Sequence, residues 1–206
     1  MKRFIDFVGS SLGLIILCPL FIVVGILIKR EDGGPIFFVQ ERVGRFGRNF
    51  KIIKFRTMRN TLENSHRKIT VGKDPRITGI GQFLRRYKID EFPQLINVFK
   101  GEMSIVGPRP ELPYYVNQYP EDTRAKILSV RPGITDYASL EYINESIILE
   151  NEKDPERAYL EDILPQKIKY CVNYIDNQSC WLDIVLILKT IGKIFMGYYR
   201  HIALHK

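Results

Sequence analysis

The feature that most limits what this chain can fold into is the run from Phe7 to Ile28. It carries no charged side chain over about 22 residues, close to the ~20 that a helix needs to cross a bilayer. Aliphatic residues occupy every face of it, which fits membrane burial better than the core of a soluble protein. Lys2 and Arg3 precede the run, and Lys29 and Arg30 follow it at once. A cationic pair directly after the apolar stretch is wrong for a cleaved signal peptide. Positive charge on both flanks favours keeping both ends on the cytoplasmic side. Pro19, near the middle, removes a backbone donor and clashes with the preceding turn, so a kink is expected there. Two forms stay open: a transmembrane anchor that tolerates its proline, and a bent helix that enters one leaflet and returns.

The remainder of the 206 residues is enough for one domain with a real core. The net charge of +8 points to anionic partners: phosphorylated substrates, an acidic membrane surface or nucleic acid. The charge is uneven. Basic residues dominate from Arg42 to Arg59, whereas Glu141 to Asp162 is mostly acidic. An acidic block of that kind would serve indiscriminate nucleic-acid binding poorly, so a local anion site is the better reading. Three scattered cysteines, Cys18, Cys171 and Cys180, argue against a disulfide framework or a zinc site and for a reducing, cytoplasmic setting.

Glu31-Asp32-Gly33-Gly34-Pro35 is a turn that ends the apolar helix. Pro35 to Gln40 and Phe50 to Met58 read as strands of a hairpin whose loop holds Gly44 and Gly47. Asn60 to Asp74 lacks apolar periodicity and reads as a surface loop. Thr78 is a candidate N-cap for a helix running toward Lys88, and a second helix begins at Pro93 and stops at Gly101. Three prolines between Val106 and Pro113 exclude regular helix or central strand. Pro155 to Asp162 and Pro165 to Ile175 look helical. Trp181 to Phe195, with Ser179 as a candidate cap, is amphipathic; it suits either the membrane interface or a core-facing position. The fold expected is therefore α+β: mostly helical with a small β-hairpin. Residues 1–30 form the membrane element and 31–206 a cytoplasmic catalytic domain, with interfacial amphipathic helices.

Asp90 and Glu91 are adjacent acids, ordinarily a solvated pair. Here Ile89 and Phe92 flank them, and a buried carboxylate needs cations or a metal, which Arg85, Arg86 and Lys88 can supply. Pro93 disfavours helical geometry at Phe92, placing the pair at a helix junction where it can meet a ligand. Arg109 lies between two prolines, so its guanidinium can be aimed at low entropic cost, either as a phosphate clamp or as a structural ion pair. Lys54 and Arg56 share a strand face. Arg131 precedes Pro-Gly and either braces that turn or meets ligand. No phosphate-binding Walker loop, complete dinucleotide fingerprint, nucleophile elbow or zinc-protease motif is present. His66, His201 and His205 lie in a loop and near the C-terminus, which leaves a carboxylate as the natural nucleophile or base.

The stretch from Arg76 to Pro110, running through Tyr87-Lys-Ile-Asp-Glu-Phe-Pro-Gln-Leu-Ile-Asn97 and Gly107-Pro-Arg-Pro110, closely resembles the core of the bacterial sugar transferase family, the monotopic phosphoglycosyl transferases. Gly34-Pro-Ile-Phe-Phe-Val-Gln-Glu-Arg-Val-Gly44, Phe50-Lys-Ile-Ile-Lys-Phe-Arg-Thr-Met58 and Val130-Arg-Pro-Gly-Ile-Thr135 match as well, as does Lys-Arg-x-x-Asp ahead of a proline-containing apolar run. The chain looks like a minimal member of that family. The resemblance implies a re-entrant helix broken at Cys18-Pro19, on the cytoplasmic face of the bacterial inner membrane and its anionic phospholipid. It also implies nucleophilic attack by Asp90 on a UDP-sugar, with Mg2+ at Asp90 and the diphosphate. UMP would leave, and undecaprenyl phosphate would then take the phosphosugar. Glu91 would assist, while Lys54, Arg85 and Arg109, with Arg131 beside them, would hold phosphate. Downstream glycosyltransferases would follow; nucleic acid is not an expected partner.

The chain also departs from the family. Cys18 stands where relatives often carry a small hydroxyl residue. After Thr135 it reads Asp136-Tyr-Ala-Ser-Leu-Glu-Tyr-Ile-Asn-Glu145, where many relatives read Gly-Leu-x-Gln-Val-x-Gly-Arg. The competing readings are a membrane-tethered protein that only binds anions, and a hydrolase with water as acceptor.

Overall fold

The structure is a computed structural model, and residues 1–59, 74–142, 145–150 and 152–203 are described. The expected surface loop from Asn60 falls almost wholly outside them. The elements in chain order are α1 (Lys2–Asp32), the antiparallel hairpin β1 (Phe37–Val43) and β2 (Asn49–Phe55), α2 (Gly79–Arg86), α3 (Gln94–Lys100), β3 (Ser104–Val106), α4 (Pro113–Val116) and α5 (Glu121–Ile127). After these come β4 (Gly133–Thr135), α6 (Tyr137–Glu141), α7 (Glu145–Glu150), α8 (Pro155–Ala158), α9 (Leu164–Asp176) and α10 (Cys180–Ala203). A π-helical turn, Tyr159–Ile163, joins α8 to α9. The chain is mostly helical, as expected.

The first strand starts two residues later and runs three further than the sequence indicates, because Val43 still pairs with Asn49, and the second ends at Phe55, short of Met58. The turn is then squeezed into a 3-10 turn, Arg45–Gly47, where Gly47 takes φ +74°. A second sheet was not expected. β3 and β4 pair in parallel, Ser104 with Gly133 and Val106 with Thr135.

α1 runs as one helix through Pro19, whose missing N–H leaves the Ile15 carbonyl without its usual partner. It ends where Gly33, at φ +72°, donates back to the Lys29 carbonyl. Among the described residues it is the one helix long and apolar enough to cross a membrane. Both of its ends are built into the same folded body. At the start, Arg3 donates to the carbonyls of Val98 (2.6 Å) and Phe99 (2.8 Å), and Lys2 to the Tyr174 hydroxyl (3.1 Å). Asp6 accepts from Ser104 Oγ and Ile105 N, both at 3.0 Å. At the far end, Glu31 accepts from Gly79 N (2.7 Å) and Ile80 N (3.3 Å), Asp32 pairs with Arg56, and Val24 and Ile28 pack with Phe55 and Leu84. The other side of α1, including Ile15 and Ile16 at its centre, is bare.

The largest core cluster gathers Tyr115, Val116, Ile127, Leu149, Tyr159, Ile163 and Leu164. A second joins Val106, Leu140, Tyr174 and Leu186, tying α10 to β3. α10 has two apolar stripes. Leu182, Leu186 and Ile187 face that core, while Trp181, Ile184, Leu188 and Ile191 are exposed. The core-facing reading thus holds for one stripe of this helix, and a second apolar stripe is left exposed. The Ser179 cap is present, its Oγ accepting from Leu182 N at 3.1 Å.

Candidate active site

Local signals set the approach to Asp90. Thr78 caps α2 by accepting from Gly81 N at 3.0 Å. Gly81 lies so close to the Thr57 carbonyl that a Cβ there would overlap it, which locks α2 against the end of β2. After α2 the chain reverses at Lys88, which takes left-handed values (φ 56°, ψ 18°) although it has a side chain. A 3-10 turn, Ile89–Glu91, then leads through Pro93 into α3, whose end is closed by Gly101 at φ +86°.

This junction buries both acids but treats them differently. Glu91 is saturated. Lys54 Nζ stands 3.3 Å from Oε1, and Arg109 binds it through both terminal nitrogens, Nη1 at 2.9 Å from Oε2 and Nη2 on Oε1. Burial alone would raise the Glu91 carboxyl, but Arg109 and Lys54 outweigh it and hold Glu91 well below the usual carboxylate range. Asp90 is not saturated: its Oδ1 is buried with no hydrogen-bond partner among the described residues. Burial, with the neighbouring Glu91 charge, pushes its carboxyl up, against the pull of Lys54, Lys88 and Arg85. One acid is thus spent on structure, and the other is left with an unshared oxygen among cations.

The expected phosphate-binding residues separate into two groups. Lys54, Arg85 and Arg109 converge on the pair. Arg85 is fixed by one bond, Nε to Thr57 Oγ1 at 2.8 Å, and Asp90 is its strongest electrostatic attraction. Arg109 is aimed by its backbone. Gly107 N donates to Thr135 O (3.0 Å), Gly133 N to Pro108 O (2.9 Å), and Arg109 N to Asp136 Oδ2 (3.3 Å). Arg131 is held at the opposite end of α3, its Nε donating to the Gly101 carbonyl at 2.9 Å. Cys18 and Pro19 lie on the exposed side of α1.

Several residues were not singled out by the sequence. Asp136 is completely buried, caps α6 through Ser139 N (2.7 Å) and holds the Arg109 backbone. An aspartate opening a helix was its only local sign. Behind Arg109, Glu111 accepts from Tyr159 Oη at 2.8 Å and is flanked by Lys167 (3.3 Å) and Arg42 (3.6 Å), a buried network tying the hairpin to α9. Part of the basic run thus serves structure: besides Arg42, Arg45 donates to the Ser129 carbonyl and Arg56 to that of Pro35.

The donor set bears on a metal. Among the described residues no three His, Cys, Asp or Glu side chains gather at one point. Zinc, which takes its ligands mostly from protein, would be poorly served. Magnesium is suited, because it takes one or two carboxylates and completes its shell with substrate phosphate and water. The Asp90 carboxylate, which makes no ion pair among the described residues, fits that demand.

Residues 1–197 match the model of the bacterial sugar transferase family. The chain belongs to that family. It is 34% identical to the UDP-N-acetylgalactosamine-undecaprenyl-phosphate N-acetylgalactosaminephosphotransferase of Aeromonas hydrophila, over 96% of this chain and 44% of that protein. To the galactosyl transferase CpsE of Streptococcus agalactiae it is 37% identical, over 95% of this chain and 42% of the relative. This family member therefore spans less than half the length of those two relatives. It covers 86% of the exopolysaccharide production protein ExoY of Rhizobium meliloti, at 31% identity.

Proposed function

We propose that this chain transfers a sugar phosphate from a UDP-sugar to undecaprenyl phosphate through a covalent phosphosugar on Asp90. The observation that carries the reading is the asymmetry of the acid pair. Glu91 is held ionised by Lys54 and Arg109, whereas Asp90 makes no ion pair among the described residues; its Oδ1 is buried without a partner, and its other oxygen is left to act as the nucleophile. An oxygen of ionised Asp90 attacks the phosphorus bonded to the sugar. The bond from that phosphorus to the bridging oxygen breaks, and UMP departs with the electron pair. An oxygen of undecaprenyl phosphate then attacks the same phosphorus and breaks the acyl-phosphate bond, restoring Asp90 and giving the lipid diphosphate-sugar.

Arg85, and whatever edge of Arg109 Glu91 leaves free, supply positive charge to the equatorial oxygens during both displacements. Lys54 and Arg109 also fix Glu91, so the charge beside Asp90 stays constant through the cycle. Asp90, with the donor diphosphate and water, would hold magnesium, whose chemistry there is neutralisation of the charge on the leaving phosphate. In this reading the reaction is the first membrane step of bacterial polysaccharide or glycoconjugate assembly, and its product passes to downstream glycosyltransferases.

The membrane part of the proposal is a helix that enters the cytoplasmic leaflet and returns. One folded body grips α1 by Arg3 and Asp6 at one end and by Glu31 and Asp32 at the other, which supports keeping both ends of the helix on the same side of the bilayer. The bare middle around Ile15 and Ile16, with Trp181, Leu188 and the hairpin residues Phe37 and Phe38, supplies apolar surface for lipid.

Purified protein given Mg2+ and a panel of UDP-sugars should release UMP before any lipid is added, in an amount matching the protein. Asp90→Asn should abolish that release. Robust turnover by Asp90→Asn would remove Asp90 as nucleophile, and UMP release only in the presence of lipid would replace the covalent route with direct transfer.

A further inference from the structure

Gln94 opens α3 and is completely buried, yet neither its Oε1 nor its Nε2 has a hydrogen-bond partner among the described residues. Among the described residues six buried side-chain atoms lack a partner, and three of them belong to Asp90 and Gln94. Unmet polar atoms in the interior are rare because they lose water and gain nothing in return, and such groups tend to collect where function needs them.

The neighbouring amide shows that the position does not forbid pairing. Asn97, one turn further along the same helix, accepts from Ile53 N at 3.0 Å and donates to Lys51 O at 2.8 Å and to Glu102 at 2.7 Å. Residues three apart share a helix face, so Gln94 also lies over β2. Going the other way, Phe92 is helical in spite of the proline that follows it, against the expectation from sequence, and the backbone from Lys88 to Ile96 is bonded i to i+3, so Asp90 and Gln94 follow one another on a single tight helical path. The unpartnered amide and the unpartnered carboxylate oxygen therefore stand one turn apart at the same junction.

We infer that Gln94 is a positioning residue for Asp90. Its Nε2 donates to Asp90 Oδ1 when the carboxylate turns to attack. After the phosphorus has bonded to Oδ2, the same donor holds Oδ1, by then the carbonyl oxygen of the acyl phosphate. Gln94 touches neither sugar nor nucleotide, so its effect falls on the chemical step and not on donor binding. The inference rests on the covalent reading given above.

The test uses the full chain in nanodiscs, with wild type run alongside. Gln94→Met keeps the volume and removes both unmet polar atoms. It should hold or raise the melting temperature while slowing single-turnover UMP release by ~10–100-fold at an unchanged KM for the UDP-sugar. Gln94→Glu, which replaces the donor by an acceptor in nearly the same volume, should lose the step as well. A melting temperature that falls in parallel with the rate would make Gln94 structural and overturn the inference, as would an unchanged rate in either variant. If wild type forms no phosphosugar adduct, the covalent reading fails; if wild type and Gln94→Met form it equally fast, only the role of Gln94 fails.

Discussion

Arg109 closes on Glu91 through two parallel bonds, while Asp90, the preceding residue, presents an oxygen that no described side chain reaches. Two chemically similar neighbours have been given opposite tasks by what lies 18 and 37 residues away from Glu91, at Arg109 and Lys54.

That grip should not survive replacement by another cation. Lysine cannot make two parallel bonds to a carboxylate, so Arg109→Lys leaves part of a buried acid unmet. Arg109 is partly exposed, and water will soften the loss. Arg109→Lys is expected to cost about 1–2 kcal/mol in denaturant titration and to slow UMP release at least ~10-fold. Unchanged stability and turnover would show that the pairing is incidental.

The raised carboxyl of Asp90 makes a stability prediction with a definite sign. Folded Asp90 holds its proton to higher pH than the unfolded chain does, so it destabilises the fold as pH rises above its ordinary value of 3.8 toward its folded value. Asp90→Asn should therefore raise the metal-free melting temperature at pH 7 and change it little near pH ~3, where aspartate is neutral in both states. Glu91 runs the other way, contributing stability above its ordinary value of 4.5 that is lost as pH falls toward its depressed folded value. Glu91→Gln should accordingly lower the melting temperature at pH 7 and flatten the loss of stability in acid.

Lys88 sits left-handed directly before the acidic turn. A β-branched side chain tolerates that conformation worst, and glycine adopts it freely. Lys88→Val should cost about 1–2 kcal/mol, whereas Lys88→Gly should be neutral or stabilising. Equal melting temperatures for the two would mean that the backbone at 88 is not left-handed.

The crossing of β3 and β4 offers a sharper lesion. A Cβ on Gly133 would overlap the backbone of Gly107, and one on Gly107 would meet the Arg131 carbonyl at 2.6 Å. Gly133→Ala must push the strands apart, at a cost of about 1–3 kcal/mol. Because this crossing aims Arg109, UMP release should fall further than that of Thr190→Val, a half-buried change that loses the hydroxyl contact of β4 with α10 and the bond to the Leu186 carbonyl. Wild-type activity in Gly133→Ala would sever the strand crossing from the clamp.

What could be read from the sequence was local. Thr78, Pro93 and Gly101 announce helix ends because capping is decided within a few residues. The hairpin around Gly44 and Gly47 is of the same kind. The second sheet could not be read, because β3 and β4 are three residues each and leave no periodic trace. The split between Asp90 and Glu91 depends on partners far along the chain, as does the bond from Asp6 to Ser104, 98 residues away. Arg131 illustrates the same limit. Its place in a motif suggested phosphate, but the fold carries it to the Gly101 carbonyl, where it braces the helix that Asp90 precedes.

The two-ended attachment of α1 also decides how a water-soluble version of this protein would have to be made. Deleting the helix would strip Val24 and Ile28 from their contacts with Phe55 and Leu84 and leave Ser104, Ile105 and the start of α2 without their acceptors. A truncated fragment would begin life with a hole in its side. Redesign would instead keep the helix and repaint its outer surface, exchanging residues such as Ile15, Ile16 and Ile22 for polar ones while leaving the inner stripe untouched.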